Sequence, residues 1–198
     1  MRTLPLFPLG TVLFPGGPLE LRIFEPRYVD MVGRCMKEGS GFGVVLLVEG
    51  REAGGGGTLT TAAVGTEARI VDFNRLDDGL LGLTCLGHER LRILRAWRRD
   101  DGLNLAEVED VAADAATAIP DDCVHLSAVL RRLYPDLGAG YEWVVPRWDD
   151  ASWISNRLAE LAPLEPAVKQ GLLELDDPLE RLHYLAPLIR LDDDRADA

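Results

Sequence analysis

Residues 4–28 read LPLFPLGTVLFPGGPLELRIFEPRY, two short apolar runs held apart by prolines that resolve into strict alternation. Leu19, Leu21 and Ile23 fall at every second position with Glu20 and Arg22 between them, so one face of a strand is buried and the other wetted. Residues 26–38 then read as a helix. Proline stands in the first turn, Val29, Val32 and Cys35 or Met36 make the apolar stripe, Asp30, Arg34 and Lys37 the polar face, and Gly39 the stop. The continuous apolar run 42–48 suits a buried central strand. Beyond it, strands are predicted over 58–63, 67–76, 80–86, 89–97 and 103–109, with turns at Asp77-Asp78-Gly79 and Asp100-Asp101-Gly102 and a corner at Gly87-His88. The glycines at 54–57 read as a hairpin tip; a phosphate cradle would need a following Gly-Lys-Ser/Thr, which is missing. Six to seven antiparallel strands of this kind are enough to curl into a partly closed barrel and hide most of their edges.

The grammar changes between residues 110 and 120. An alanine-rich stretch, 112–118, reads as a linker or a frayed helix start, and helical punctuation follows. Cys123, Leu126 or Ser127, Leu130 and Leu133 form a stripe that ends at Tyr134-Pro135. A helix over 151–161 has Asp150 as its cap and Ile154, Leu158 and Leu161 inward. Glu165-Pro166 opens a short helix through Leu173. Asp177-Pro178-Leu179-Glu180 sets a cap, a first-turn proline and a returning carboxylate before a last helix with Leu182, Leu185 and Ile189 inward. The predicted organisation is therefore a β subdomain over 1–115, a helical subdomain over 116–192 and an acidic frayed tail over 193–198.

Charge narrows the function classes. Thirty-three Asp and Glu against 21 Lys and Arg give a net charge of -12, a field that repels phosphate backbones and anionic lipid. The densest basic cluster, 90–99, alternates with Leu91, Ile93 and Leu94 and reads as the wetted face of a strand. Cys35, Cys85 and Cys123 are far apart and form no C-x-x-C pair, which suggests core thiols. His88, His125 and His183 have no second ligand at helical or turn spacing, so no metal or cofactor is expected and any metal site would have to be assembled by the fold. The start lacks signal-peptide features and no run reaches the length of a membrane span, from which a cytoplasmic protein without nucleic-acid or membrane partners is expected.

Three segments together resemble the LON substrate-binding domain, the amino-terminal domain of ATP-dependent Lon proteases, and look most like its stand-alone relatives. They are the opening LPLFPLGTVLFPGGPLELRIFEPRY, then GTEARIVDFNRLDDGLLGLTCLGHERLRI, and SNRLAELAPLEPAVKQGLLELDDPLERLHYLAPLI near the carboxy terminus. Pro187, which falls inside the last helix and should kink or end it, and the glycine tract depart from the family pattern. The resemblance implies an α+β fold: a six-stranded PUA-like antiparallel pseudo-barrel with one inserted helix, then a bundle of about four helices. It also implies binding of unfolded or partly folded polypeptides, possibly beside a separate protease or chaperone, without an ATPase or a serine-lysine peptidase. The only lysines, Lys37 and Lys169, precede Glu38 and Gln170 and fit no Walker A segment.

Candidate peptide-binding residues are the aromatics Phe24, Tyr28, Tyr141, Trp143, Trp148 and Trp153. Phe24 and Tyr28 can equally pack where the first helix crosses the barrel, and the other four form either a hinge core between subdomains, the preferred reading, or an exposed recognition surface. No catalytic residue is expected. The competing functions are a weak peptide hydrolase using a non-standard serine such as Ser155, and RNA binding by the PUA-like barrel.

Overall fold

The computed structural model describes residues 1–49 and 60–189, so the glycine tract at 54–57 and the acidic tail lie outside the described residues. Six strands and a helix make the first part: β1 (Arg2–Leu9), β2 (Pro18–Ile23), α1 (Pro26–Glu38), β3 (Phe42–Glu49), β4 (Thr60–Arg75), β5 (Leu81–Arg98) and β6 (Asn104–Asp110). The sheet order is β2-β5-β4-β3-β1-β6, and a further pairing of β5 with β6 closes it into a ring. Four helices follow: α2 (Val124–Leu133), α3 (Ala151–Leu161), α4 (Pro166–Glu174) and α5 (Pro178–Leu185). This is the expected α+β pseudo-barrel followed by helices, with one departure from all-antiparallel pairing. β1 runs parallel to β3, because α1 carries the chain back across the barrel between β2 and β3.

Two pairs of predicted strands are single long strands. β5 runs straight through the predicted corner at Gly87, and there it changes partner on one side: residues 81–86 pair with β2 and residues 91–98 with β6. Glycine is required at the exchange. The Gly87 N–H donates to Gly17 O at 2.8 Å, Gly16 N–H donates to Gly87 O at 2.7 Å, and a Cβ on Gly87 would lie 2.2 Å from the Phe14 carbonyl oxygen. β1 tolerates Pro5 and Pro8 because Pro5 is paired only to β6 and Pro8 only to β3, leaving each ring nitrogen a side with no ladder to serve. In α1 the buried stripe is Tyr28, Met31, Val32 and Cys35, rotated from the predicted one, and Val29 and Met36 are exposed.

The helices share their core with the barrel. Val12 and Phe14 from the β1–β2 loop, Leu46 of β3 and Val64 of β4 pack with Leu126, Leu130, Trp153, Ile154, Leu158 and Leu182. Two polar joints fix the arrangement. In the first, Arg90 of β5, expected on a wetted face, is buried: its guanidinium donates to Leu173 O and Leu175 O at the end of α4 and pairs with Asp114 at 3.0 Å. Arg181 of α5, fully buried, reaches the other oxygen of the same carboxylate at 2.5 Å, and the Ser152 hydroxyl donates to that oxygen at 2.8 Å. The stretch around Asp114 is neither helix nor strand. In the second joint, Arg157 of α3 donates to Pro15 O at 3.1 Å and pairs with Glu160 at 2.9 Å, directly over Gly16 and Gly17.

Helix ends match their sequence signals. Asp150 accepts from Ser152 N–H at 3.0 Å and Asp177 from Leu179 N–H at 2.8 Å. α5 stops at Leu185, before Pro187. Among the described residues no helix is long and apolar enough to cross a membrane.

Two stability outcomes follow from the joints. Asp114→Asn leaves two buried guanidinium groups without their shared counter-charge and is expected to cost about 3–5 kcal/mol in urea unfolding, whereas Asp149→Asn, whose carboxylate is fully exposed, leaves the midpoint unchanged. Gly17→Ala places a Cβ 1.9 Å from Glu160 Oε2 and 2.6 Å from Arg157 Nη2 and is expected to destabilise by about 1–3 kcal/mol. Gly33→Ala, in α1 with open space around it, is expected to stabilise by up to about 1 kcal/mol in the same assay.

Candidate functional site

A trough of about 670 Å³ lies on the outer face of β2, β5 and β4. Antiparallel register builds its floor. Glu20, Thr84 and Asp72 form one rung, and Arg22, Gly82 and Asn74 the next, since partners across a ladder share a face. Gly82 keeps the second rung low: a Cβ there would lie 2.3 Å from Asn74 Oδ1 and 2.9 Å from Leu76 Cδ2. Asp77 and Asp78 from the β4–β5 turn and Glu142 from the loop before α3 complete the lining. Five carboxylates thus face one cation, Arg22, and that guanidinium is already paired with Asp78. Asp78 is held below the ordinary carboxylate range, first by the Leu80 N–H that donates to it and then by Arg22. The lining is therefore anionic at neutral pH.

β2 forms the border of this trough, and its only strand partner among the described residues is β5. An edge strand beside an open depression can accept an extended chain through main-chain hydrogen bonds. Phe24 lies immediately after β2 and is 59% exposed; Trp143 is next to Glu142 in the wall and is 43% exposed. Both candidates stand in solvent, close in sequence to the lining residues Arg22 and Glu142.

The other candidates are placed differently. Tyr28 is buried, its ring stacked on Phe7 at 4.1 Å with the Arg27 guanidinium 4.8 Å from its centre, so it belongs to the packing of α1 on the barrel. Tyr141, Trp148 and Trp153 are brought together by Tyr134, a residue that sequence reasoning treated only as the end of a helix. Its ring lies 5.8 Å from Tyr141, 5.0 Å from Trp148 and 6.0 Å from Trp153, and its hydroxyl donates to Val144 O at 3.1 Å. Trp153 is wholly buried, and the Tyr141 hydroxyl donates to Glu160. Burial pushes both groups up, the Tyr141 phenol and the Glu160 carboxyl, so the phenol keeps its proton for that bond. The cluster thereby joins the loop 134–148 to the second polar joint. Trp148 also has a solvent side: it walls a groove of about 380 Å³ with Ala118, Ile119, Val124 and Ala128, under Arg131, whose guanidinium is 4.6 Å from the indole centre.

At the barrel–helix boundary there is a smaller polar pocket, about 150 Å³, lined by Arg90, Asp114, Asp150, Ser152 and Asn156. It is not the wide apolar cleft that an extended chain would need. The serine hydroxyls of the helical part serve structure: Ser127 donates to Trp148 O, Ser152 to Asp114, and Ser155 to Ser152 O while accepting from Arg181. Lys169 donates to Glu160 O at 2.6 Å, and burial draws its pKa down. The Cys85 thiol is pushed up to about 12 by burial, the opposite of an activated nucleophile.

Comparison with known proteins agrees with the fold. A solved Lon N-terminal domain protein from Xanthomonas campestris superposes with a TM-score of 0.79 at 38% identity, over 96% of this chain and 100% of that one. The N-terminal domain of Mycobacterium avium complex Lon protease shares the fold, with a TM-score of 0.65 at 20% identity over 94% of this chain and 97% of that one. Lon protease 2 of Myxococcus xanthus is 23% identical over 95% of this chain, which spans only 23% of that protein's length. The family model described as the ATP-dependent protease La (LON) substrate-binding domain, a binding module and not a catalytic one, matches residues 3–190, and the chain belongs to that family.

Proposed function

We propose that this protein is an ATP-independent binding module that recognises unfolded or apolar segments of other polypeptides, a cytoplasmic quality-control adaptor with no catalytic machinery of its own. A separate protease or chaperone would process what it holds. The observation that carries this reading is the edge of β2, which has no strand partner on that side among the described residues, beside the trough, with Phe24 and Trp143 exposed close by in sequence. A client segment would add its backbone to β2 and lay side chains over the two aromatics, while the groove beside Trp148 offers a second apolar contact. We divide the chain accordingly into a gripping β lobe, 1–115, and a bracing helical lobe, 116–192, with 193–198 as a tail.

The anionic lining sets the character of the client. It disfavours RNA, whose phosphates would face five carboxylates, and it favours segments that mix apolar residues with Lys or Arg. The charged floor also implies affinity that falls moderately as salt screens it.

The test is fluorescence anisotropy with a labelled, permanently unfolded polypeptide in which all cysteines are alkylated. Binding at tens of micromolar or tighter is expected, and Trp143→Ala and Phe24→Ala should each weaken it about fivefold or more without changing the thermal midpoint, since both side chains are exposed. Equal affinity in both variants, or turnover of the polypeptide by the purified protein, would remove this reading.

A further inference from the structure

We infer that Asp122, Cys123 and His183 form a binding site for one divalent transition-metal ion of the zinc type, which ties the start of α2 to α5. The three residues offer a carboxylate oxygen, a sulfur and an imidazole nitrogen, and these donor atoms all lie within 4.8 Å of one another. His183 Nε2 is 3.4 Å from Asp122 Oδ2. No spacing in the sequence announces the group, because His183 is on α5 while Asp122 and Cys123 end the short 3-10 turn that leads into α2. The fold performs the assembly that the histidine spacing left open, against the expectation of no metal.

Geometry and chemistry agree on the ion. Zinc bonds of about 2.0–2.3 Å set tetrahedral donor–donor separations of about 3.3–3.8 Å, so the cluster, whose donor atoms lie within 4.8 Å of one another, must contract by up to about 1.5 Å. The groups that would move can do so: the side chains of Asp122 and His183 are 70% and 53% exposed. Cys123 is buried and supplies the fixed anchor, with its Sγ within 4.8 Å of the donor atoms of the two exposed side chains. A sulfur, a nitrogen and a single carboxylate oxygen suit zinc and exclude magnesium and calcium, which take oxygen-rich sets. On binding, the Cys123 sulfur gives its proton to solvent and forms the metal–sulfur bond, His183 coordinates through Nε2, and the thiolate and carboxylate together balance the ion's two positive charges. The fourth position remains open to water. Cys35 and Cys85, the other two cysteines, are buried in the barrel core and belong to no such group among the described residues.

The bridge joins positions 60 residues apart in sequence and lies away from the β2 trough, so its role is to stiffen the helical lobe and its test does not depend on polypeptide capture. Chelator-treated full-length protein is titrated with Co²⁺, which reports thiolate ligation as a sulfur-to-cobalt charge-transfer band, and Zn²⁺ is then added as competitor. The expected result is a band that saturates at one equivalent, is bleached by Zn²⁺, and is lost in Cys123→Ala. His183→Ala changes an exposed side chain, retains the fold by circular dichroism, and should weaken binding about tenfold or more while abolishing the rise in thermal midpoint that Zn²⁺ gives the unaltered protein. No charge-transfer band at a large excess of Co²⁺, or Zn²⁺ binding that His183→Ala leaves unchanged, would overturn the assignment.

Discussion

The carboxylate of Asp114 is held between two guanidinium groups that have left water, and the placement of the helices relative to the barrel depends on it. Arg90 comes from the barrel, Arg181 from the last helix, and Asp114 from the irregular stretch between the two halves. Desolvation draws the pKa of Arg181 down, and the neighbouring Asp114 opposes that pull. Such a group stabilises a structure less than its short distances suggest, because burial of each ion carries a penalty of several kcal/mol; its value is specificity, since any other docking would strand a buried charge. Apolar packing alone would let Phe14 and Leu158 slide. The ion group permits one register.

Backbone proximity is the second constraint, and it explains where the glycines stand. The β1–β2 loop passes so close to β5 that Gly87 and Phe14 O leave no room for a Cβ, and so close to α3 that Gly17 meets the Arg157–Glu160 pair. The same loop thus touches the strand at its change of partner and the helix that carries the second joint. Tyr141 then links Glu160 to the aromatic loop, and Glu142 of that loop closes the trough on β2. A continuous set of contacts runs from the barrel seam to the candidate binding face, so the trough's wall is positioned by the same interactions that hold the two halves together.

Local signals in the sequence were sufficient for the elements and insufficient for their partnerships. The alternation at 19–23, the Asp150 and Asp177 caps, the two Asp-Gly turns and the stop before Pro187 are properties of neighbouring residues, and the structure has each of them. Where the outcome depends on residues far apart, local pattern misleads. Gly87 reads as a corner because glycine usually marks one, but here it marks a close approach by a loop 70 residues earlier. Arg90 reads as solvent-facing because it sits in a basic alternation; only its three-dimensional partners, at 114 and 173–175, account for its burial. The floor of the trough was half legible, through Glu20 and Arg22, and the other half required the register of β4 and β5. Tyr134 gave no signal beyond a proline after it.

Burial and exposure are divided between the two faces of the same aromatic loop. Trp153, Tyr134 and the inner side of Trp148 lose their solvent contact to one another, while Trp143 and Val145 keep theirs, although an isolated loop would gain by turning those side chains inward. They stay outside because the inner positions are already filled, at ring distances of 5–6 Å, and because Val144, the residue between them, is the one that packs inward and ties to Tyr134 through its carbonyl. Alternation over 143–145 therefore acts as it does in a strand, sending one side chain to the core and two to solvent. An exposed aromatic on a loop fixed in this way has little conformational entropy left to lose when a partner covers it, which is the condition under which a small apolar contact yields useful affinity. Under the proposed function, the buried half of the cluster would serve binding indirectly, by keeping the exposed half still.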